Sequence, residues 1–220
     1  MTTKLLATVY VTLMALIMSG CAGKVRYPNY YTLAVAPTQK PAPNDAHQSA
    51  TVAVRRFDTP AYLRQGRIVY REAPEEVGFY DYHRWASDPG AVVTTGVIDS
   101  LRSTNLFSVV EPYAGQEHPD YLLSGRLERL DEVDYEGGVQ VEVKLSAELV
   151  NVRTGASVWA GTVTETSTAS ARNMNSVVVA MGHAAQSGVD QLVASIEKQI
   201  SDTSVATGNG GTTTAEISRK

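Results

Sequence analysis

Alternating apolar and polar residues mark one segment as a strand with a single buried face. From Val139 to Leu149 apolar side chains occupy the odd positions, and polar side chains occupy the even positions between them. A period of two is typical of a strand with one buried and one wet face. Turn-forming residues lie on both sides, at 136–138 and 153–155, and separate this segment from apolar runs at 121–133 and 157–164. We therefore predict an antiparallel meander of three strands.

Two other segments repeat their apolar residues every three or four positions, as amphipathic helices do. The first begins at Ser87-Asp88-Pro89, a capping sequence with proline in the first turn, and ends at Asn105. The second runs from Asn173 to about Ser201, and its apolar stripe comprises Val178, Met181, Ala185, Val189, Leu192, Ile196 and Ile200. A stripe of this kind needs an apolar surface to cover, and the meander offers one.

The remaining apolar runs predict shorter strands. Strand-like runs lie at 30–35, 51–57, 67–71, 77–85 and 106–110, and 62–64 is also interpreted as extended, with Gly66 as a bulge or turn. In 77–85, Phe79 and Asp81 are expected on one face and Tyr80, Tyr82 and Arg84 on the other. The Pro-rich segment 36–50 is predicted to be a loop. The predicted fold class is α+β, a mixed, largely antiparallel sheet with two main helices packed on it.

The N-terminus has the pattern of a lipoprotein signal peptide. Lys4 precedes a short apolar run that ends in Met18-Ser19-Gly20-Cys21. The alternative, a permanent transmembrane helix, is disfavoured because the run is short for ~30 Å of hydrocarbon and small residues precede the cysteine. Cys21 is the single cysteine, so an intrachain disulfide is excluded. We expect Cys21 to carry diacylglycerol and an N-acyl chain, which anchor the protein durably at roughly 0.8 kcal/mol per buried CH₂.

These patterns divide the chain into four parts. Residues 1–20 are the predicted signal peptide, 21–29 the lipidated N-terminus and tether, 30–201 one folded domain, and 202–220 a Gly/Thr-rich disordered tail. The second mature residue is Ala22 and not the Asp that retains enteric-type lipoproteins in the inner membrane. By this resemblance we expect the periplasmic face of the outer membrane.

The charge of the chain argues against nucleic-acid binding. Cleavage after residue 20 removes Lys4 from the 19 Lys and Arg and nothing from the 23 Asp and Glu, which changes the formal net charge from −4 to −5. Phosphate neutralisation needs a concentrated basic face, and a mildly acidic chain of this kind does not predict one.

No catalytic or metal-binding motif is recognisable. A nucleophile elbow, a Walker loop, an H-E-x-x-H pair and paired cysteines are all missing from the sequence. The four histidines, His47, His83, His118 and His183, lack ligand spacing. The acidic residues Glu128, Asp131, Glu132 and Asp134 could form a metal or acid–base cluster, but we interpret them as a solvated strand end. We predict no enzyme activity, no metal and no cofactor other than the lipid on Cys21.

A group of Arg, Tyr and Trp residues forms the candidate partner-binding set. Its members are Tyr62, Arg64, Arg67, Tyr70, Arg71, Tyr82 and Trp85. Arg and aromatic residues are favoured at interface centres, so the set could dock a protein or an anionic lipid. The alternative is a solvated sheet face whose long side chains cover the core with their aliphatic stems.

Several short motifs together resemble one known family. They are the lipobox, Tyr30-Tyr31-Thr32-Leu33, Tyr62-Leu63-Arg64, Ile68-Val69-Tyr70-Arg71 and Trp85-Ala86 before a helix. Over roughly residues 27–201 the chain resembles the ABC-type transport auxiliary lipoproteins, the group that includes PqiC-type lipoproteins. One departure is Ser87-Asp88-Pro89, where that family tends to continue Glu-Pro-Leu.

The resemblance implies a non-enzymatic lipoprotein accessory to an MCE-type system that moves lipids between the inner and outer membranes. Its implied partner is the MCE-domain protein anchored in the inner membrane, and its implied assembly is a homo-oligomer, such as a ring. Two alternatives remain open. One is a periplasmic lipid-binding module with a pocket between the 173–201 helix and the sheet. The other is a structural, cell-wall-associated envelope lipoprotein.

Overall fold

The computed structural model of the chain describes residues 26–36, 48–115, 118–134 and 138–208 of the 220. The predicted signal peptide, Cys21, His47 and the end of the predicted tail lie outside the described residues. The strands are β1 Asn29–Tyr31, β2 Gln48–Val54, β3 Arg67–Arg71, β4 Gly78–Trp85, β5 Phe107–Pro112, β6 Tyr121–Val133, β7 Gln140–Asn151 and β8 Ser157–Thr168. The α-helices are α1 Pro89–Thr104 and α2 Met174–Gly208.

The long strand β6 joins two halves of a mixed sheet. One edge of β6 pairs with β7 along its length, and β7 pairs with β8, both antiparallel. The other edge pairs in parallel with β2 at Tyr121–Leu123 and with β3 at Asp131–Val133. Beyond these neighbours lie β5 on one side and β4 and β1 on the other. The predicted meander and the mixed, largely antiparallel sheet are confirmed.

Both helices pack on one face of this sheet. Helix α1 contacts β5 and α2, and α2 contacts β7 and β8. The buried residues of β7 are Val141, Val143, Leu145, Ala147 and Leu149, which are the odd positions predicted from the alternation. Met181, Leu192 and Ile196 of α2 are fully buried as well. The predicted α+β fold, with the long helix and the meander covering each other, is confirmed.

The helix boundaries follow from their caps. The Asp88 carboxylate accepts a hydrogen bond from the backbone N–H of Ala91 at 2.8 Å, and Asn105 adopts a left-handed conformation with φ of 52°. The Asn173 side chain caps α2 by accepting from the N–H of Ser176 at 3.0 Å. Helix α2 continues to Gly208 and not only to Ser201. This boundary differs because helix propagation adds one backbone hydrogen bond per residue even after the apolar stripe ends.

The N-terminal segment differs from the prediction. Only Asn29–Tyr31 is a strand, and residues 32–36 leave the sheet and lie against both helices. Val35 packs on α1 where Gly96 leaves room for it, and the Ala34 carbonyl packs on α2 at Gly182. A Cβ added to Gly182 would lie 3.0 Å from that carbonyl oxygen. Leu33 is therefore buried without strand pairing and Val35 is half-buried against α1, whereas Tyr30 and Ala34 stay exposed.

Residues 62–64 are not extended. Leu63–Gln65 form a short 3-10 turn, which ends at Gly66 with φ of 70°. The fully buried Leu63 anchors this turn in the core. Glycine tolerates the left-handed conformation that turns the chain into β3.

Candidate partner-binding surface

Strand β3 divides the predicted Arg/Tyr set between two faces of the sheet. Tyr70 is in register with Glu132 of β6, whose antiparallel partner on β7 is the buried Val141. Because successive strand residues point to opposite faces, Tyr70 faces the side that α2 covers and Arg71 faces the outer side. The candidate residues therefore do not form one continuous surface.

On the outer side, Arg71 is part of a buried ion pair. Its Nε donates to Oδ2 of Asp131 at 2.6 Å, and both side chains are buried. Its Nη1 also donates to the carbonyl of Pro74 at 3.0 Å, which holds the turn after β3. Burial raises the pKa of Asp131 against the opposing effect of Arg71. The Arg71 guanidinium is engaged in this ion pair inside the domain, so it is not available for contact with a partner protein.

Tyr62 lies beside this ion pair in a charged groove of about 600 Å³. Its hydroxyl donates to the carbonyl of Glu128 at 3.0 Å, and burial raises its pKa. The charged side chains of the groove are paired across β6 and β7. Arg129 lies 2.7 Å from Glu142, and Lys144 lies 3.0 Å from Glu128. Arg71 and Arg126 also line the groove and are paired with Asp131 and Asp58, so all four of its basic side chains are in ion pairs.

The interpretation of the 128–134 acidic residues as a solvated strand end is wrong for two of them. Asp131 is fully buried and Glu132 is 5% exposed. Strands β3 and β4 and the turn at 62–65 cover this end of β6, an arrangement that depends on residues far away in the sequence. Among the residues that the structure describes, no group of three or more His, Cys, Asp or Glu could hold a metal ion.

On the helix-covered side, a bulge in β4 opens a pocket. Arg67 of β3 pairs with Arg84 of β4, and Val69 pairs with Phe79. A step of two residues along β3 therefore corresponds to a step of five residues along β4. The expected strict alternation of 77–85 is interrupted there. The bulge residues 80–83 line a pocket of about 410 Å³ together with Tyr70, Glu72, Phe79, Glu132 and Asp134. Bulges of this kind redirect side chains and are frequent beside functional sites.

Aromatic rings and one buried carboxylate make up the inner wall of this pocket. The Tyr80 hydroxyl donates to Oε2 of Glu132 at 2.9 Å. The Tyr80 ring lies 4.8 Å from that of Tyr70 and meets the His83 ring edge-on at 5.5 Å, measured between centroids. Burial, followed by the bond to Glu132, raises the pKa of Tyr80 well above its usual value, and burial raises the pKa of Glu132. Sequence reasoning missed Tyr80 and Glu132 as a pair.

The other predicted partner-binding residues differ in exposure. Arg64 is exposed, and its Nη1 donates to the carbonyl of Thr59 at 2.8 Å. Arg67 lies 3.6 Å from Asp81, and Tyr82 is 43% exposed with the Arg26 guanidinium 5.9 Å from its ring centroid. Trp85 is only 5% exposed and belongs to the core. Arg64 and Tyr82 are thus on the surface, Tyr62, Arg67 and Tyr70 are half-buried, and Arg71 and Trp85 are inside.

This architecture, a branching mixed sheet with a helix pair on one face, defines an α+β domain. The family described as "ABC-type transport auxiliary lipoprotein component" matches residues 31–197. The chain belongs to this family, which makes it a lipoprotein component that assists an ABC-type transporter at the cell envelope. No curated protein matches the sequence.

The chain is similar to several solved structures at low sequence identity, and the first two of the three below share its fold. Protein XCC0632 from Xanthomonas campestris is 20% identical, with a TM-score of 0.69 over 80% of this chain and 99% of its own. Protein CT253 from Chlamydia trachomatis is 9% identical, with a TM-score of 0.50 over 70% of this chain and 98% of its own. The PelC dodecamer from Paraburkholderia phytofirmans is 18% identical, with a TM-score of 0.46 over 73% and 95%. Within the described ranges, no helix is long and apolar enough to cross a membrane.

Proposed function

We propose that the protein is a non-enzymatic lipoprotein, anchored through Cys21 on the periplasmic face of the outer membrane, that assists an MCE-type lipid transport system. In this proposal it docks the MCE-domain protein anchored in the inner membrane. The observation that carries the proposal is the match of residues 31–197 to the auxiliary lipoprotein family. The lipobox at 18–21 supports the anchor.

The length of the tether supports a position next to the membrane. The described chain begins at Arg26, five residues after Cys21. Five extended residues span at most about 18 Å. Arg26 contacts Tyr82 on β4, so the β4 end of the domain lies close to the anchor. The domain works at the membrane surface and not at a distance from it.

The partner contact is assigned to the exposed part of the predicted set, around β3 and β4, where its members are divided between the two faces of the sheet. Arg64 and Tyr82 are on the surface, and the half-buried Tyr62, Arg67 and Tyr70 border it. Arg71 and Trp85 support this region from inside, since Arg71 holds the turn after β3 and the backbone N–H of Trp85 bonds to the Gly66 carbonyl at 2.8 Å. Arg side chains at such a surface offer charged, directional contacts.

The test of this assignment is capture of the MCE-domain protein by variants. We expect Arg64→Glu and Tyr70→Ala to weaken capture by purified, lipidated protein. Arg153→Glu is the matched control because Arg153 is an exposed arginine in the turn between β7 and β8, far along the sheet from β3. Unchanged capture by both Arg64→Glu and Tyr70→Ala would remove the assignment of the partner contact to this region.

One observation favours the alternative of a lipid-binding module. A second pocket of about 290 Å³ lies between the end of β6 and the start of α2, where Val139, Met174 and Val177 line it. It lies between the long helix and the sheet, as that alternative expects. Native mass spectrometry of the protein extracted from membranes tests this function, because a copurifying lipid is its expected result.

A further inference from the structure

The pocket at the β4 bulge and the pocket at the start of α2 are adjacent, and we treat them together as one cleft. Both are lined by Tyr80, His83, Glu132 and Asp134. Their volumes, about 410 and 290 Å³, are at the lower end of the range for small-ligand sites. A cleft of this size admits a polar headgroup but not a pair of acyl chains.

The charge of this cleft is negative. Four carboxylates line it, from Glu72, Asp81, Glu132 and Asp134, and Arg172 is the lining guanidinium. Arg172 lies 3.0 Å from Asp134, and Arg67 lies 3.6 Å from Asp81. Glu132 is 95% buried, and the hydrogen bond that it accepts comes from the neutral hydroxyl of Tyr80. A buried carboxylate with a neutral partner is costly, and a bound cation offsets that cost.

Aromatic rings surround the same space. Tyr70, Phe79, Tyr80 and Tyr82 all line the larger pocket. The Tyr70 ring lies directly against Gly78, where any Cβ would clash with it, so the glycine fixes the ring on the β4 backbone. Ring faces attract cations within about 6 Å of their centroids. One of these rings already has a cation beside it, because the Arg26 guanidinium lies 5.9 Å from the Tyr82 ring centroid.

We propose that this cleft binds an alkylammonium group, namely the ethanolamine headgroup of a phospholipid in the membrane that carries the anchor. The buried Glu132 carboxylate pairs with the ammonium group, and the Tyr70 and Tyr80 rings, which contact each other at 4.8 Å between centroids, line one side of it. The assignment of the ammonium group to a phospholipid of that membrane rests on the proposed lipid anchor. Arg26 follows Cys21 by five residues and contacts Tyr82, which lines the cleft. Five extended residues span at most about 18 Å, so the tether keeps the cleft close to the anchored cysteine. Burial raises the pKa of Glu132 and disfavours its ionised form, and a bound ammonium group would offset that effect.

The first arm of the test uses soluble probes. Lipidated protein in non-ionic detergent, labelled with 3-fluorotyrosine, is titrated with ethylammonium and, separately, with ethanol as a neutral analogue. We expect saturable ¹⁹F shifts of the tyrosines in the cleft with ethylammonium only, assigned through Tyr70→Phe and Tyr80→Phe. Glu132→Gln keeps the side-chain size and an acceptor for Tyr80, and we expect it to weaken binding about tenfold or more, the loss of one direct charge pair.

Glu148→Gln is the matched control, because Glu148 is an exposed carboxylate on the outer face of β7. Equal ethylammonium binding by wild type and Glu132→Gln, or the absence of saturable binding, overturns the site. Retained folding of Glu132→Gln is checked by its thermal unfolding.

The second arm tests the membrane source. The lipidated protein is placed in nanodiscs of phosphatidylglycerol with or without phosphatidylethanolamine, and we expect the same tyrosine shifts only when phosphatidylethanolamine is present. Identical spectra in both nanodiscs would overturn the headgroup assignment. Capture of the MCE-domain protein does not enter either arm, so a failure of the proposed transport function remains distinguishable from a failure of this site.

Discussion

The Nε atom of Arg71 lies 2.6 Å from Oδ2 of Asp131 in the interior of the domain, between β3 and β6. Breaking a buried pair by removing one partner leaves an uncompensated charge and typically costs about 3–5 kcal/mol. We expect Asp131→Asn to lower the free energy of unfolding by an amount of this order. Urea denaturation measures the change.

The control for that prediction is an exposed pair in the same region. Arg64 lies 3.4 Å from Asp58, with both side chains more than half exposed. Exposed pairs contribute about 0–1 kcal/mol, so Arg64→Met should change the stability little. A cost of Asp131→Asn no larger than that of Arg64→Met would contradict a stabilising role for the buried pair.

Glu132 predicts a pH dependence with a definite sign. Burial raises its pKa above the ordinary value of 4.5, so the folded protein holds this proton more tightly than the unfolded chain does. Its stabilising contribution is therefore present below pH 4.5 and is lost as the pH rises through the raised pKa. We expect Glu132→Gln to flatten the fall in stability just above pH 4.5, measured by denaturation at a series of pH values.

Asp131 has a pKa raised in the same direction, so part of the pH dependence stays in the Glu132→Gln variant. The difference between wild type and variant isolates Glu132. An unchanged slope in this pH range would show that Glu132 does not carry a raised pKa.

The contact between Gly182 and Ala34 predicts a role for the N-terminal segment. A side chain at 182 would collide with the Ala34 carbonyl and push residues 32–36 away from α2. Overpacking of this kind typically costs about 1–3 kcal/mol. We expect Gly182→Leu to lower the melting temperature and to speed proteolytic cleavage within 32–36. Val179→Leu, at a position of α2 that is 58% exposed, is the control and should behave like wild type.

The N-cap of α1 gives a further prediction. Asp88→Ala removes the hydrogen bond to the Ala91 N–H and the ion pair with Arg56 at 3.2 Å. Loss of such a cap costs about 1 kcal/mol. Asp99→Ala removes a carboxylate of the same helix that pairs with Arg102 on the surface, and it should cost less. Chemical denaturation of the two variants side by side measures the difference.

The fold was predictable where one periodicity runs unbroken. Strand β7 keeps its alternation from end to end, and the Asp88, Asn105 and Asn173 caps mark helix ends through local hydrogen bonds. The Tyr62 region was mispredicted because a 3-10 turn of three residues leaves no period to detect.

The candidate site was less predictable because two bulges displace the pattern. A register shift between Leu127 and Arg129 in β6 moves the core-facing positions from odd to even numbers, which places Glu132 inside the sheet. The larger shift in β4 then brings Tyr80 next to Glu132. Neither shift has a signal in hydrophobicity alone, since each depends on a partner strand. Strand alternation predicts that Tyr70 and Arg71 point to opposite faces of the sheet. Which of the two lies on the helix-covered face depends on the parallel pairing of β3 with β6.

In-cell crosslinking of the lipidated protein, followed by detergent extraction, pull-down and mass spectrometry, tests the proposed function most directly. Cys21→Ala, which removes the proposed anchor, serves as the control. We expect recovery of an MCE-domain protein or the ABC subunits with wild type and a loss of this recovery with Cys21→Ala. Recovery of only self-crosslinks or cell-wall proteins would contradict the transport proposal and favour a structural envelope lipoprotein.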